Sequence, residues 1–150
     1  MANYSMETEP GPGWVRPKAL DIGCGSGAGI RLLEDCGFDV TAFDVSPTAV
    51  GRVQSKSAYV FAAGIEDVAF EPASFDFVMD NLTLTHVGSP DFDKIRGWLK
   101  PNGWFVSAMF EHGPRDAPEA RNHFSGMTPR ETIVRMWGSN SCIVKVYRIP

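Results

Sequence analysis

The stretch "LDIGCGSGAG" at residues 20–29 decides the fold. A short apolar run, residues 18–22, breaks into glycines at 23, 25, 27 and 29. Beyond them Ile30, Leu33 and Cys36 recur at helical spacing up to Gly37, so the order is strand, glycine loop, helix. Gly23, Gly25 and Gly27 leave the peptide bare. They permit a tight turn, and a Cβ at any of them would fill space that a ligand could use. In an open parallel sheet, ligands collect at the carboxyl ends of the strands, where strand order reverses, and this loop follows the first strand. The alternative reading of the loop is a glycine-rich connector without a ligand.

Two carboxylates narrow the choice. Asp44 ends the second apolar run, about twenty residues beyond the first glycine, where an acid can accept hydrogen bonds from both hydroxyls of a ribose. Its competing role is to cap the next helix, but Ser46, followed by Pro47, is better placed for that. Gly23, Gly25 and Ala28 also satisfy the G-x-G-x-x-G/A fingerprint of dinucleotide sites, which is weak by itself. Asp21 separates the two ligand classes. A carboxylate two residues ahead of the first glycine repels a pyrophosphate but suits a ligand with a sulfonium and a free amino group. S-adenosylmethionine has both.

The rest of the chain alternates. Strands are expected at "KALDIG", "FDVTAFD", "SAYVFAA", "SFDFVMD", "GWFVSAMF" and "CIVKVYRI". Helices are expected at "GIRLLEDCG", at "SPTAVGRVQ", at "SPDFDKIRGWL" with Ser89 and Pro90 at its start, and at "TPRETIVRMWG". The last carries a capping box of Thr128 with Glu131 and stops at Gly138. Alternation of this kind predicts a doubly wound, mostly parallel sheet of about six strands in a three-layer α/β/α sandwich. Residues 1–17 read as a flexible arm and 18–150 as one domain. Residues 111–127 form a long loop rich in Pro, Gly, His and charge, a candidate lid or a plain connector.

Composition sets outer limits. The chain has 150 residues, 43% of them hydrophobic, enough to bury roughly 70% of its unfolded surface. A net charge of −4 with no run of Lys or Arg argues against nucleic acid or an anionic membrane as partner. No apolar stretch is long enough to span a bilayer, and acids stand where a secretory signal has bases. Three cysteines without a CxxC pair predict neither a disulfide framework nor a metal site, and a cytoplasmic setting.

With these parts in order, the chain resembles a class I S-adenosylmethionine-dependent methyltransferase, of the small-molecule, ubiquinone-biosynthesis type. The resemblance covers about residues 18–149 and rests on five motifs in register: "ALDIGCGSG", "VTAFDVSPTAV", "GIEDVAFEPASFDFVMDNLTLTHV", "WLKPNGWFVSAMF" and "HFSGMTPRETIVRMWGSNSCIVKVYRI". It implies a Rossmann-like fold and transfer of a methyl group from S-adenosylmethionine to a small molecule, leaving S-adenosylhomocysteine. It implies that the backbone of Gly23, Cys24, Gly25 and Gly27 faces the methionine moiety, with Asp21 reaching the amino group directly or through water. Asp44 would hold the ribose, Val45 and Ile65 the two faces of adenine, and Glu66 or Asp67 its exocyclic amine. Asp80 would approach the methionine end. The Cys24 thiol reads as a packing group, and Ile65 reads equally as core.

His86, after the fourth strand, is the candidate catalytic base, if the acceptor must lose a proton. Packing or capping is its alternative role. Glu111, His112, His123, Phe124 and Trp14 are candidates for the acceptor pocket or its lid. The pattern departs from the family in three places. Gly64 stands where an aspartate often precedes the adenine segment. No helix is expected before the first strand. The antiparallel seventh strand has no separate sequence, so the last strand takes its place or an open edge remains, which a homodimer would cover. Two other functions compete: a non-catalytic S-adenosylmethionine-binding module and a nicotinamide oxidoreductase.

Overall fold

β-branched and aromatic runs, each closed by turn residues, become the strands of one sheet. A computed structural model of the chain describes residues 11–110, 129–137 and 140–150. The elements are β1 (Lys18–Ile22), α1 (Ala28–Asp35), β2 (Asp39–Asp44), α2 (Pro47–Val50), β3 (Tyr59–Ala62), β4 (Phe75–Asn81), α3 (Phe92–Trp98), β5 (Leu99–Phe110), β6 (Glu131–Trp137) and β7 (Asn140–Arg148). A 3-10 turn, Leu84–His86, follows β4. Residues 1–10 of the expected arm lie outside the described residues. So do Thr128, Gly138 and the loop candidates Glu111, His112, His123 and Phe124.

The strands form a seven-stranded sheet in the order β3-β2-β1-β4-β5-β7-β6. Strands β1 to β5 pair in parallel, and β7 lies antiparallel between β5 and β6. Strand order reverses between β1 and β4, which puts the loops after these strands at the switch point. Alternation of side chains builds two apolar layers. Ala19 on β1 joins Ile30 and Leu33 of α1 on one face. Leu20 and Ile22 join Val78, Phe105, and Ile95 and Trp98 of α3 on the other. Among the described residues, no helix is long and apolar enough to cross a membrane.

Three expectations are corrected. The sheet has seven strands, not about six. The helix expected from the Thr128–Glu131 capping box is β6. The run "ETIV" is β-branched, and its register from Glu131 opposite Val146 to Trp137 opposite Asn140 gives it a full ladder with β7. The seventh strand is therefore present: the last strand occupies the antiparallel place beside β5, and β6 covers its outer side. Of the two alternatives, the last strand takes the place beside β5, and among the described residues the outermost strands of the sheet are β3 and β6.

Two smaller differences concern caps. Ser46 caps α2 as expected, its Oγ accepting from Ala49 N at 3.2 Å. Helix α3 is capped by Asp91, which accepts from Lys94 N at 2.9 Å, and not by Ser89. Cys36 lies past the end of α1 and is exposed, because Gly37, at φ 89°, turns the chain out of the helix there.

Candidate functional site

The glycine loop is pinned to the strand beside it. Gly23 and Cys24 donate their N–H groups to Phe43 O at 2.9 and 3.0 Å, and Gly25 N–H donates to Asp44 Oδ2 at 2.9 Å. Gly23, Gly25 and Gly27 all have left-handed φ, at 68°, 54° and 100°. Each bare position has its own cause. A Cβ at Gly23 would run into the Thr83 side chain, whose hydroxyl donates to Gly23 O at 3.2 Å. A Cβ at Gly25 would meet nothing within 4 Å, so its bareness keeps open space on that side of the loop. A Cβ at Gly27 would press on Val53.

Three carboxylates gather around this loop. Asp44 Oδ1 accepts from Ser46 N at 2.8 Å while Oδ2 holds Gly25 N–H, so the tip of β2 and the loop share one acid. Each oxygen keeps a lone pair for a further donor. Asp80 is 1% exposed and fully engaged: Oδ1 accepts from Thr83 N and Leu84 N, both at 2.9 Å, and Oδ2 from Ser107 Oγ at 2.7 Å. Burial pushes its carboxyl up to about 6, against the pull of those hydrogen bonds. Asp21 is 2% exposed, and its Oδ2 has no hydrogen-bond partner. Burial first, then the charges of Asp80 and Asp44, push it up to about 7. The Cys24 thiol, buried against the same acids, is pushed up to about 12 and is inert packing.

Between the ends of β1, β2 and β4 opens a crevice of about 380 Å³. Of the residues singled out in the sequence, Gly23, Asp44, Val45, Ile65, Glu66 and His86 line it. Val45 is 75% exposed, an apolar side chain held out at the crevice wall. Asp21 and Cys24 lie beneath the loop in the α1 layer, and Asp80 turns inward to Ser107. Asp67 is exposed, in the turn where its N–H meets Gly64 O at 3.1 Å. Gly25 borders the site through Asp44. His86 closes the 3-10 turn, its ring 6.3 Å from that of Phe110. Trp14 is half exposed ahead of β1.

Sequence reasoning missed Thr83, Val87 and Gly88, which complete the wall after β4. One signal was available: Asp80 three residues before Thr83 is the spacing of an acid that accepts a backbone N–H. Leu82, at φ 65°, gives no such signal. Its left-handed backbone turns the chain so that Thr83 and Leu84 point back at Asp80, and its own N–H is held by Ala108 O at 2.9 Å.

Comparison with known proteins bears on family and fold. A family model described as a methyltransferase domain matches residues 20–107. The malonyl-[acyl-carrier protein] O-methyltransferase of Enterobacter lignolyticus is 38% identical over 108 residues, covering 69% of this chain and 42% of that protein. The ubiquinone biosynthesis O-methyltransferase of Paraburkholderia phymatum is 33% identical over 102 residues, covering 61% and 44%. The chain spans less than half the length of these curated relatives. Among solved structures, 1,6-didemethyltoxoflavin-N1-methyltransferase of Burkholderia thailandensis, with 1,6-didemethyltoxoflavin and S-adenosylhomocysteine bound, shares the fold. Its TM-score is 0.70 at 23% identity, over 89% of this chain and 72% of that one.

Proposed function

This chain belongs to the methyltransferase-domain family, and from that premise we propose that it binds S-adenosylmethionine in the crevice and methylates a small-molecule acceptor. One observation carries the reading. The bare loop between β1 and α1 is backed by three carboxylates, one of them buried with an unpartnered oxygen. Such a field draws a cation and repels a diphosphate. The nicotinamide reading is disfavoured on that ground. The reading as a non-catalytic module loses one of its supports, because the seventh strand is present.

The residues fit the cofactor. Asp44 has lone pairs free for the ribose hydroxyls, Val45 and Ile65 offer apolar surface to a nucleobase, and the space beside Gly25 admits the amino-acid end. Asp21, under the loop, acts on the ammonium through its charge. When bound, the cofactor supplies a methyl group already activated on sulfur, so the chain's task is placement. His86, exposed at the crevice wall, is the base that takes a proton from an acceptor hydroxyl or amine. That the solved neighbour holds 1,6-didemethyltoxoflavin supports a small molecule here, while the malonyl-[acyl-carrier protein] relative is named for an acceptor carried on a protein. The absence of a basic run supports the same choice over nucleic acid, and free cysteines support a cytoplasmic setting. A homodimer formed through a sheet edge would use β3 or β6, the outermost strands among the described residues.

Titration calorimetry with S-adenosylhomocysteine and NAD tests the binding step: heat with the first and none with the second is expected. Transfer of a tritiated methyl group into a metabolite extract tests the chemistry. No transfer, with binding intact, would favour the non-catalytic module.

A further inference from the structure

A second cavity, of about 260 Å³, opens beyond the glycine loop, between α1 and the segment 52–55 that follows α2, and it shares no lining residue with the crevice. Its floor is apolar. Ile30 is buried there, and Val53 packs so close to the bare Gly27 that a Cβ at residue 27 would lie 3.2 Å from Val53 Cγ1. The two walls are tied together at one end. Glu34 of α1 accepts from Ser55 Oγ at 2.7 Å and from Ser57 Oγ, and Ser55 Oγ accepts in turn from Ser57 N and Ala58 N at 3.2 and 3.0 Å. Arg52 N–H donates to Ala49 O at 3.0 Å and Val53 N–H to Val50 O at 3.1 Å, so the second wall is anchored on the turn of α2. The spacing of the walls is therefore set without a ligand.

The free polar groups of this cavity are donors. Arg31 enters from the α1 wall and Arg52 from the other. Among the described residues neither guanidinium reaches a carboxylate, and the one ion pair found is Lys100 with Asp76. Gln54 and Ser26, both exposed, add an amide and a hydroxyl. The single acid of the lining, Glu34, is turned to two hydroxyls, which hold its carboxyl below the usual carboxylate range. It stays ionised, and two guanidinia against one carboxylate still leave the lining positive. Asp21, Asp44 and Asp80 take no part in it. A guanidinium presents a planar fork of N–H donors that one carboxylate can satisfy. Two forks on facing walls suit an anion with more oxygens, in a tetrahedral array, and more charge: a phosphate dianion.

We propose that this cavity binds a phosphate group between Arg31 and Arg52, with Gln54 and Ser26 completing the donor set. The ligand is inorganic phosphate or the phosphate monoester of a small metabolite, which present the same dianion. The site stands apart from the crevice, and the inference does not depend on what binds there.

The test is calorimetry on the full chain without nucleoside, at about pH 8 where phosphate is dianionic, with ionic strength held constant by chloride. Inorganic phosphate and glycerol 3-phosphate are each titrated into the wild type, Arg31→Gln, Arg52→Gln, the double variant and Arg148→Gln. Arg148, stacked 5.5 Å over Trp104 on β5, loses the same charge outside the cavity. Saturable binding of at least one phosphate compound is expected in the wild type, about tenfold tighter than chloride, because the contacts are charge-assisted hydrogen bonds. Each single cavity variant should bind roughly fivefold more weakly or worse, the double variant not measurably, and Arg148→Gln as the wild type does. Binding of the ester alone identifies a phosphorylated metabolite as the ligand, and equal binding of both identifies the phosphate group itself. Thermal melts in phosphate-free buffer confirm that the variants fold. No saturable binding to the wild type overturns the proposal, as does binding retained in the double variant or a loss in Arg148→Gln equal to that in the cavity variants.

Discussion

Asp44 concentrates the most consequence in one side chain. Its carboxylate ties the glycine loop to β2 through Gly25 N–H and turns the chain into α2 through Ser46 N–H. It also carries the lone pairs assigned to the ribose. Asp44→Ala should weaken S-adenosylhomocysteine by about 1–3 kcal/mol, the cost of leaving polar partners unpaired. Calorimetry reads the loss directly, and unchanged affinity would place the sugar elsewhere. Cysteine chemistry separates two residues that look alike in sequence. Cys24 is buried with its thiol pushed up to about 12, whereas Cys36 is exposed beyond α1. Brief treatment of the folded protein with iodoacetamide near pH 8 should label Cys36 and spare Cys24, as peptide mass spectrometry would show. Labelling of Cys24 at an equal rate would mean that the loop above it opens.

Among the elements, the turn before β4 offers a stability test clear of the site. Ala73 is exposed and sits at φ 54°, with its N–H on Gly97 O at 2.9 Å. A left-handed alanine costs roughly 1–2 kcal/mol, partly offset by the unfolded-state entropy that glycine adds, so Ala73→Gly should stabilise the fold by about 0.5–1 kcal/mol. A denaturant midpoint measured on both proteins decides it, and a loss of stability would show that the methyl group packs. This turn also marks a limit of sequence reading. The parallel half of the sheet was legible because each strand ended in a glycine, a serine or an acid that the next element needed. The β6–β7 pair was not, because a capping-box pattern and a run of β-branched residues overlap in "TPRETIV". Tertiary pairing with β7 decided between them, and no local signal carries that information. The site divides the same way. Gly23, Asp44 and His86 could be placed near the crevice from strand ends, whereas Val45, Ile65 and Glu66 came only with the family resemblance. Thr83 carried a local signal in the Asp80 spacing, but its bond to Gly23 O, which sets it against the glycine loop, spans 60 residues and leaves no trace in the sequence.

At the level of the whole molecule, the fold accepts two buried acids at the carboxyl end of its central strands, and this sets how it responds to pH. Asp21 and Asp80 hold their protons in the folded state up to about 7 and about 6, against an ordinary value of 3.8. Between about pH 4 and pH 7 the folded chain therefore binds more protons than the unfolded one. The stability these groups contribute is complete below pH 4 and is lost as pH rises through that interval. A cationic ligand reverses the preference at Asp21, because it favours the ionised form. Binding of S-adenosylhomocysteine, through its ammonium, should then release a proton below pH 7. Its affinity should rise by up to about tenfold per pH unit until it levels near pH 7. Asp21→Asn removes the titrating charge. The variant should bind more weakly at pH 8, show a nearly flat affinity profile above pH 6, and unfold at a higher temperature than the wild type at pH 8. Calorimetry in buffers of different ionisation enthalpy counts the released proton, and thermal melts across the same pH range give the stability. A wild-type affinity profile as flat as that of Asp21→Asn would mean that the buried acid never senses the ligand's charge, and that Asp21 serves the fold alone.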